Sequence, residues 1–224
     1  MLRAVIFDFD GLILDTETPE FNAWESVYLS HGVELTLAEW LPCIGTANVL
    51  DPHELLETKT GRTLNRDHVR EQRHQIIKPL YAQGQPLPGV VKTIAAAQAL
   101  DLKLGVASSS SHGWVEGWLK TFGLLDHFHS IQCKEDVACV KPDPALYLRS
   151  LERLGVRADE ALALEDSLNG LRAARGAGIY TIVVPNSITR HLPLGEADFT
   201  LSSLAELSLP NFVQTHAART SPPA

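Results

Sequence analysis

Asp8 and Asp10 stand one residue apart at the end of a short apolar run, and Gly11 follows at once. Two carboxylates this close repel, and burying either without a partner is costly. A bound cation is the simplest relief. Glu165 and Asp166 close a second apolar run, Ser108 closes a third, and Lys141 lies in a loop that opens a helix. Mg²⁺ takes hard oxygen donors and keeps several waters, so one or two carboxylates suffice to hold it. Asp8 and Asp166 are the expected direct ligands, with Glu165 acting directly or through water. The Ser108 hydroxyl and backbone N–H groups at a helix start suit phosphate oxygens. Lys141 adds a compact positive charge for the same oxygens. Taken singly, each residue has a plainer reading: solvated turn aspartates, a loop serine, a surface lysine, an acidic helix start. Those readings do not explain why all of them fall at one place.

The elements supply that place. Val5, Ile6 and Phe7 form an unbroken β-branched and aromatic run, as expected of a strand buried on both faces of a parallel sheet. In such sheets ligands bind beyond the carboxyl ends of the strands. From Val90 onward helices and strands alternate, with strands expected at 103–107, 128–133, 161–164 and 180–184 and a short one near 197–201. That alternation means a parallel sheet with right-handed crossovers. Asp8 and Asp10, Ser108, and Glu165 with Asp166 then share one edge, and Lys141 follows the third strand by a loop. Asp15 or Thr16 can cap the first helix, in which Phe21, Trp24 and Tyr28 recur at helical spacing. From about 36 to 80 the pattern is helical in pieces with no strand, which is longer than an ordinary α/β connection. It reads as a helical subdomain with hinges near 14–18 and 84–88.

At 224 residues, 45% of them hydrophobic, the chain can bury a sizeable core. A formal net charge of −8 argues against nucleic acid as the main partner. No apolar run approaches the ~20 residues needed to span a bilayer, and no signal peptide pattern opens the chain. Cys43, Cys133 and Cys139 form no CxxC, fitting reduced thiols in a cytoplasmic protein. His53, His68 and His74 show no metal or triad spacing and read as surface residues. Ser109 to Ser111 and His112 carry no assigned role by spacing alone.

Asp8-Phe9-Asp10-Gly11, Ser108 after a strand, Lys141-Pro142 and Glu165-Asp166-Ser167, in that order, resemble the four motifs of the haloacid dehalogenase-like (HAD) superfamily. The likeness is to the branch with a helical cap after the first strand, which holds β-phosphoglucomutase and sugar-phosphate and phosphoglycolate phosphatases. It covers the chain to about 207. The resemblance implies an α/β fold, a Rossmann-like doubly wound parallel sheet with an inserted α-helical cap: core 1–15 and 86–210, cap 16–85. Residues 211–224 are polar and end Pro-rich, and are expected to be a flexible tail that frays. It implies that Asp8 is a nucleophile forming an aspartyl-phosphate and that Asp10 is the general acid, then the base. Mg²⁺ is expected on the carboxylates of Asp8 and Asp166 and the backbone carbonyl of Asp10, with Glu165 assisting. Ser108 and Lys141 are expected to hold the phosphoryl group. Dehalogenating members lack the second aspartate, so Asp10 argues for phosphoryl transfer.

Phosphatase and mutase differ in the cap. Where the mutase branch has a histidine in the first cap helix, Glu20 stands here; where it has an arginine after a cap-loop glycine, the sequence reads Gly45-Thr46-Ala47-Asn48. Both departures favour attack by water, with a β-phosphoglucomutase-like mutase as the alternative. Gly11, Thr16, Glu20, Thr46, Asn48, Ser108, Ser109 and Lys141 are the expected substrate contacts. Arg62, Arg66, Arg70 and Arg73 form a basic stretch that is either a selector or a solvated face. The expected protein is a cytoplasmic, magnesium-dependent phosphatase of a small phosphorylated metabolite, a monomer or weak dimer with no nucleic-acid or membrane partner. A binding module on a decayed scaffold is the reading from another class, and the complete acidic set speaks against it.

Overall fold

The structure is a computed structural model that describes residues 1–44 and 51–220, without the side chains of Cys43 and 216–220. In chain order the elements are β1 (Ala4–Phe7), α1 (Glu17–Ser30), α2 (Leu37–Trp40), α3 (Pro52–Thr60), α4 (Arg66–Tyr81), α5 (Val90–Ala99), β2 (Lys103–Ala107), α6 (His112–Thr121) and β3 (Ser130–Gln132). They continue with α7 (Ala145–Leu154), β4 (Ala161–Glu165), α8 (Leu168–Gly176), β5 (Tyr180–Val183), β6 (Phe199–Thr200) and α9 (Leu209–Thr220).

The strands form one parallel sheet in the order β3-β2-β1-β4-β5-β6. This is the α/β architecture expected from the alternation. The two faces are sorted by the period-2 pattern of a strand. Val5 and Phe7 pack with Leu104, Val106, Leu162 and Leu164 on one side, and Ala4 and Ile6 with Ala161 and Ala163 on the other. Every residue of β1 is fully buried. Burying a side chain such as Phe7 contributes about 1.5–3 kcal/mol, so the central strand is well anchored before its carboxylates are considered. The direction of strand succession reverses between β1 and β4, and open α/β sheets bind ligands at such a switch point.

Among the described residues the chain between β1 and α5 is entirely helical and has its own apolar cluster: Trp24, Val27, Tyr28, Leu35, Trp40, Leu56 and Val69, joined by Ile188. Its two connections to the sheet run side by side. The Leu87 N–H donates to the Ile13 carbonyl at 2.8 Å, and Leu14 bridges Pro86. At the start of α1 it is Asp15, not Thr16, that caps, its Oδ1 accepting the Thr18 N–H at 3.0 Å. His53 is buried against Trp24 with ring centres 4.9 Å apart, so its expected surface position is corrected; burial holds its imidazole below the usual range.

The chain beyond 210, expected to fray, continues as helix α9 to Thr220. Leu209 is buried, and Phe212 and Val213 pack against the core. The Pro-rich end at 222–223 drew that reading, but the apolar spacing a few residues earlier decides the local structure.

Candidate active site

The ends of β1 and β4 meet at the switch point. Asp8, Glu165 and Asp166 are buried, and one carboxylate oxygen from each lies within 4.8 Å of the others. Lys141 lies between them, its Nζ donating to Asp8 Oδ1 at 2.5 Å and to Glu165 Oε1 at 2.6 Å. Glu165 is the more heavily bonded acid. It also accepts from the Tyr147 hydroxyl at 2.5 Å, the Asp166 N–H at 3.2 Å and the Ser167 hydroxyl at 3.3 Å. Gly170 in α8 makes room for it, since a β-carbon there would collide with the Glu165 carboxylate. Asp166 accepts from Asn186 Nδ2 at 2.8 Å.

Burial pushes Asp8 well above the ordinary carboxylate range, and Lys141 offsets only part of that. Asp166 rises for the same reason, helped by the charges of Asp8 and Glu165. Burial alone would depress the Lys141 ammonium, but Asp8 and Glu165 outweigh it and hold it above the usual lysine value. Three buried carboxylates against one ammonium leave uncompensated negative charge lined by oxygen donors. A hard divalent cation fits that donor set, and in a site of low polarity its charge would count for more than in water.

Asp10 lies one step outward. A cavity of about 210 Å³ is lined by Asp8, Asp10, Glu17, Ser109, Lys141 and Asp166, among others. A larger one of about 650 Å³, between the sheet edge and the helical segment, is lined in part by Asp10, Glu17, Thr16, Ser109, Tyr81 and Trp114. Asp10, Glu17 and Ser109 thus line both. The Asp10 carboxylate accepts from the Ser110 hydroxyl at 2.7 Å, the Ser108 hydroxyl at 3.2 Å and the Trp114 indole N–H at 2.9 Å. Ser108 in turn accepts the Ser110 N–H at 3.0 Å. This strand-to-helix loop is the one whose later serines carried no role by spacing.

On the helical side, Thr16 is buried with its hydroxyl unpartnered and lines the larger cavity. Glu20 also lines it, accepting from Nε and Nη2 of the Arg73 guanidinium and from the Tyr81 hydroxyl at 3.1 Å. Elsewhere in the basic stretch, Arg66 pairs with Asp51, Glu54 and Glu57, and Arg70 with Asp67. Thr46 and Asn48 lie outside the described residues. Gly11, with φ of +83°, stands beside Asp166, where a side chain would strike the carboxylate.

Sequence reasoning missed Glu17, Ser110, Trp114, Tyr147 and Asn186. Glu17 had a signal, an acid next to Thr16 at the start of the helix nearest Asp10. Burial, then repulsion from Asp10, Glu20 and Asp15, pushes Glu17 from 4.5 to about 8. Trp114 and Tyr147 read as the apolar faces of their helices, and Asn186 had no signal at all.

A doubly wound parallel sheet with an acidic cluster at its switch point defines the class: an α/β protein of the kind that binds ligands at the carboxyl edge of its sheet. The chain belongs to the haloacid dehalogenase-like hydrolase family, whose model matches residues 5–184. It is 44% identical over 209 residues to the candidate phosphatase YhcW of Bacillus subtilis (strain 168), covering 93% of this chain and 95% of that protein. It is 34% identical over 212 residues to hexitol phosphatase B of Escherichia coli (strain K12), covering 92% and 95%. The crystal structure of CbbY from Rhodobacter sphaeroides in complex with phosphate superposes with a TM-score of 0.71 at 30% identity, covering 93% of this chain and 97% of that one. No described helix is long and apolar enough to cross a membrane.

Proposed function

We propose that this protein is a magnesium-dependent phosphomonoesterase that releases inorganic phosphate from a small phosphorylated sugar or sugar alcohol through an aspartyl-phosphate on Asp8. The observation that carries the reading is the position of Asp10 at the waist between two cavities. The smaller holds Asp8, Lys141 and Asp166 and suits a phosphoryl group; the larger suits the alcohol it is attached to. The bridging oxygen of a phosphomonoester spanning both would lie beside Asp10.

In the first step an oxygen of Asp8 attacks phosphorus and the bond to the bridging oxygen breaks. Asp10, as the acid, gives its proton to the departing alkoxide. In the second, Asp10 takes a proton from water as that water attacks the phosphorus of the aspartyl-phosphate. Phosphate leaves and Asp8 returns as a carboxylate. Lys141 holds the equatorial oxygens, where most of the stabilisation in phosphoryl transfer arises. Ser108 and Ser109 border the same oxygens from the loop after β2. Asp8 and Asp166, with the Asp10 backbone carbonyl, would hold Mg²⁺, which supplies positive charge to the phosphoryl oxygens. Glu165 serves that site chiefly by fixing Lys141. Gly11 keeps the turn open, and Thr16 and Glu20 face the alcohol. The helical segment, 16–85, acts as a cap that shields the site from water. The names of the relatives, a hexitol phosphatase among them, support the substrate class. The mutase alternative needs a group at position 20 free to help Asp10, and Glu20 is engaged by Arg73 and Tyr81.

Phosphate release from a panel of sugar and sugar-alcohol phosphates, with Mg²⁺ and then with EDTA, tests the reading. Turnover is expected with Mg²⁺ and its loss with EDTA or Asp8→Asn. Activity surviving Asp8→Asn overturns the covalent route, and isomerisation without phosphate release overturns the hydrolase.

A further inference from the structure

The Trp114 side chain has three polar or aromatic contacts, two of which lead in opposite directions. Its indole N–H donates to Asp10 Oδ1 at 2.9 Å. Its ring meets Tyr81, the last residue of α4, edge to face with centres 5.1 Å apart. The Tyr81 hydroxyl donates to Glu20 of α1, which is paired with Arg73 of α4. Behind Trp114 the Trp118 ring lies 5.7 Å away and also meets Tyr81 at 6.3 Å. A continuous path of contacts therefore joins the carboxylate at the waist of the site to the two longest helices of the inserted segment.

We propose that Trp114 is a positioning residue: it sets the orientation of the Asp10 carboxylate and ties it to the seat of the helical segment through Tyr81. This rests on the phosphomonoesterase reading and deepens it. Two geometric constraints act on the ring. An indole has one N–H in a fixed ring plane, so using it on Asp10 fixes the plane of Trp114 relative to that carboxylate. Edge-to-face rings have a preferred mutual geometry, so Tyr81 constrains the same plane from the other side. If α4 shifts on the sheet edge, Tyr81 moves, and either Trp114 follows or its contact with Tyr81 or with Asp10 is lost. Ser108 and Ser110 hold the second carboxylate oxygen from a loop of the core, so Trp114 is the donor through which the helical segment reaches Asp10. The path couples proton delivery to the state of the cleft in which the alcohol sits.

A residue that positions the proton donor acts on the leaving group, and this separates it from a residue that only packs. An alkoxide is a poor leaving group and needs the proton; a dinitrophenolate departs without it. The test is kcat/KM for a sugar-alcohol phosphate and for 2,4-dinitrophenyl phosphate, measured for the wild type and for Trp114→Phe, which keeps a ring against Tyr81 and removes the N–H. General acid catalysis contributes about 10²–10⁴-fold, and losing its orientation is expected to cut kcat/KM on the alkyl ester about tenfold or more. The aryl ester should change less than about twofold. Tyr81→Leu, which leaves the indole N–H but removes its seat, should give the same selective loss at smaller size and serves if Trp114→Phe folds poorly. Equal loss on both esters, or none on either, overturns the proposal while leaving the hydrolase reading intact. A wild type that cleaves neither ester overturns both.

Discussion

A β-carbon on Gly11 would collide with the carboxylate of Asp166, which accepts a hydrogen bond from Asn186 in the same corner. Gly11 also adopts φ of +83°, a conformation that costs an L-residue roughly 1–2 kcal/mol. The glycine after the two aspartates therefore does two things: it turns the chain and it lets the β4 acid approach the β1 acids. Gly11→Ala should displace Asp166 and weaken the cation site more than the fold. We expect a Mg²⁺ activation curve shifted at least about tenfold to higher concentration, with a stability loss of about 1–3 kcal/mol. Titration of activity with Mg²⁺, alongside a urea midpoint, checks both. An unchanged activation curve would show that Asp166 does not depend on the space Gly11 leaves.

Lys141 joins Asp8 and Glu165 inside a site where all three are buried. Removing one member of a buried ionic cluster costs about 3–5 kcal/mol, because the remaining charges keep their desolvation without their partner. Lys141→Met should show that loss in metal-free buffer. Mg²⁺ held by the folded site alone should restore part of it by mass action, more so than for the wild type. Urea unfolding of both proteins, each with and without Mg²⁺, reads the effect. A midpoint for Lys141→Met that ignores Mg²⁺ would show that the acidic cluster holds no cation.

The parts of this arrangement that could be read in advance are those where local pattern and sheet topology coincide. Asp8, Ser108, Glu165 and Asp166 each end an apolar run, and a parallel sheet with a switch point must bring such ends together. Lys141 was legible only by its loop position, yet it lands between two of those acids. What the sequence concealed are contacts made by side chains whose ordinary use is different. Trp114 and Tyr147 sit at core spacing on their helices, and nothing local marks that an indole N–H or a phenol will face a carboxylate from a distant strand. Asn186 belongs to a loop after β5 whose path depends on the whole sheet. His53 read as surface because no metal or triad spacing marks it, while its ring is packed against Trp24.

His112 begins α6, just after the serine loop, and lies between two acids, with Nδ1 2.7 Å from Glu116 Oε1 and Nε2 2.7 Å from Asp136 Oδ2. Burial would lower its pKa, but the bonds to Glu116 and Asp136 outweigh that and hold it above the usual range. A group whose pKa is raised by folding stabilises fully below its unfolded value and loses that contribution as pH rises through the folded one. The contribution should therefore be complete below about pH 6.5 and fade above it. The side chain is about one third exposed, so solvent screening limits the effect to about 1 kcal/mol or less. His112→Asn should flatten the urea midpoint against pH across that window. A wild type and a variant with parallel profiles would remove the imidazolium from the account.

Glu17 gives a pH effect in the same direction from an acid. It lines both cavities, and burial, followed by repulsion from Asp10, Glu20 and Asp15, pushes it from 4.5 to about 8. A carboxyl raised on folding holds more protons in the folded state, so stability falls as pH rises between those two values. Each tenfold change in proton affinity is worth about 1.4 kcal/mol. By accessible surface Glu17 is only partly buried, so roughly half the full sum, about 2 kcal/mol, is the expected loss between pH 4.5 and 8. Asp8 and Asp166 are raised too and contribute the same sign, so the wild-type slope alone does not isolate Glu17. The difference between wild type and Glu17→Gln does, in metal-free buffer. The variant should be the more stable protein near pH 8 and indistinguishable near pH 4.5. Above about pH 8, where Glu17 is ionised, a hydroxylated alcohol in the larger cavity would lose one charged acceptor, so KM should rise in the variant there while stability improves. A Glu17→Gln protein less stable than wild type at about pH 8 would mean that a partner already compensates this carboxylate, and that its position facing both cavities costs the fold nothing.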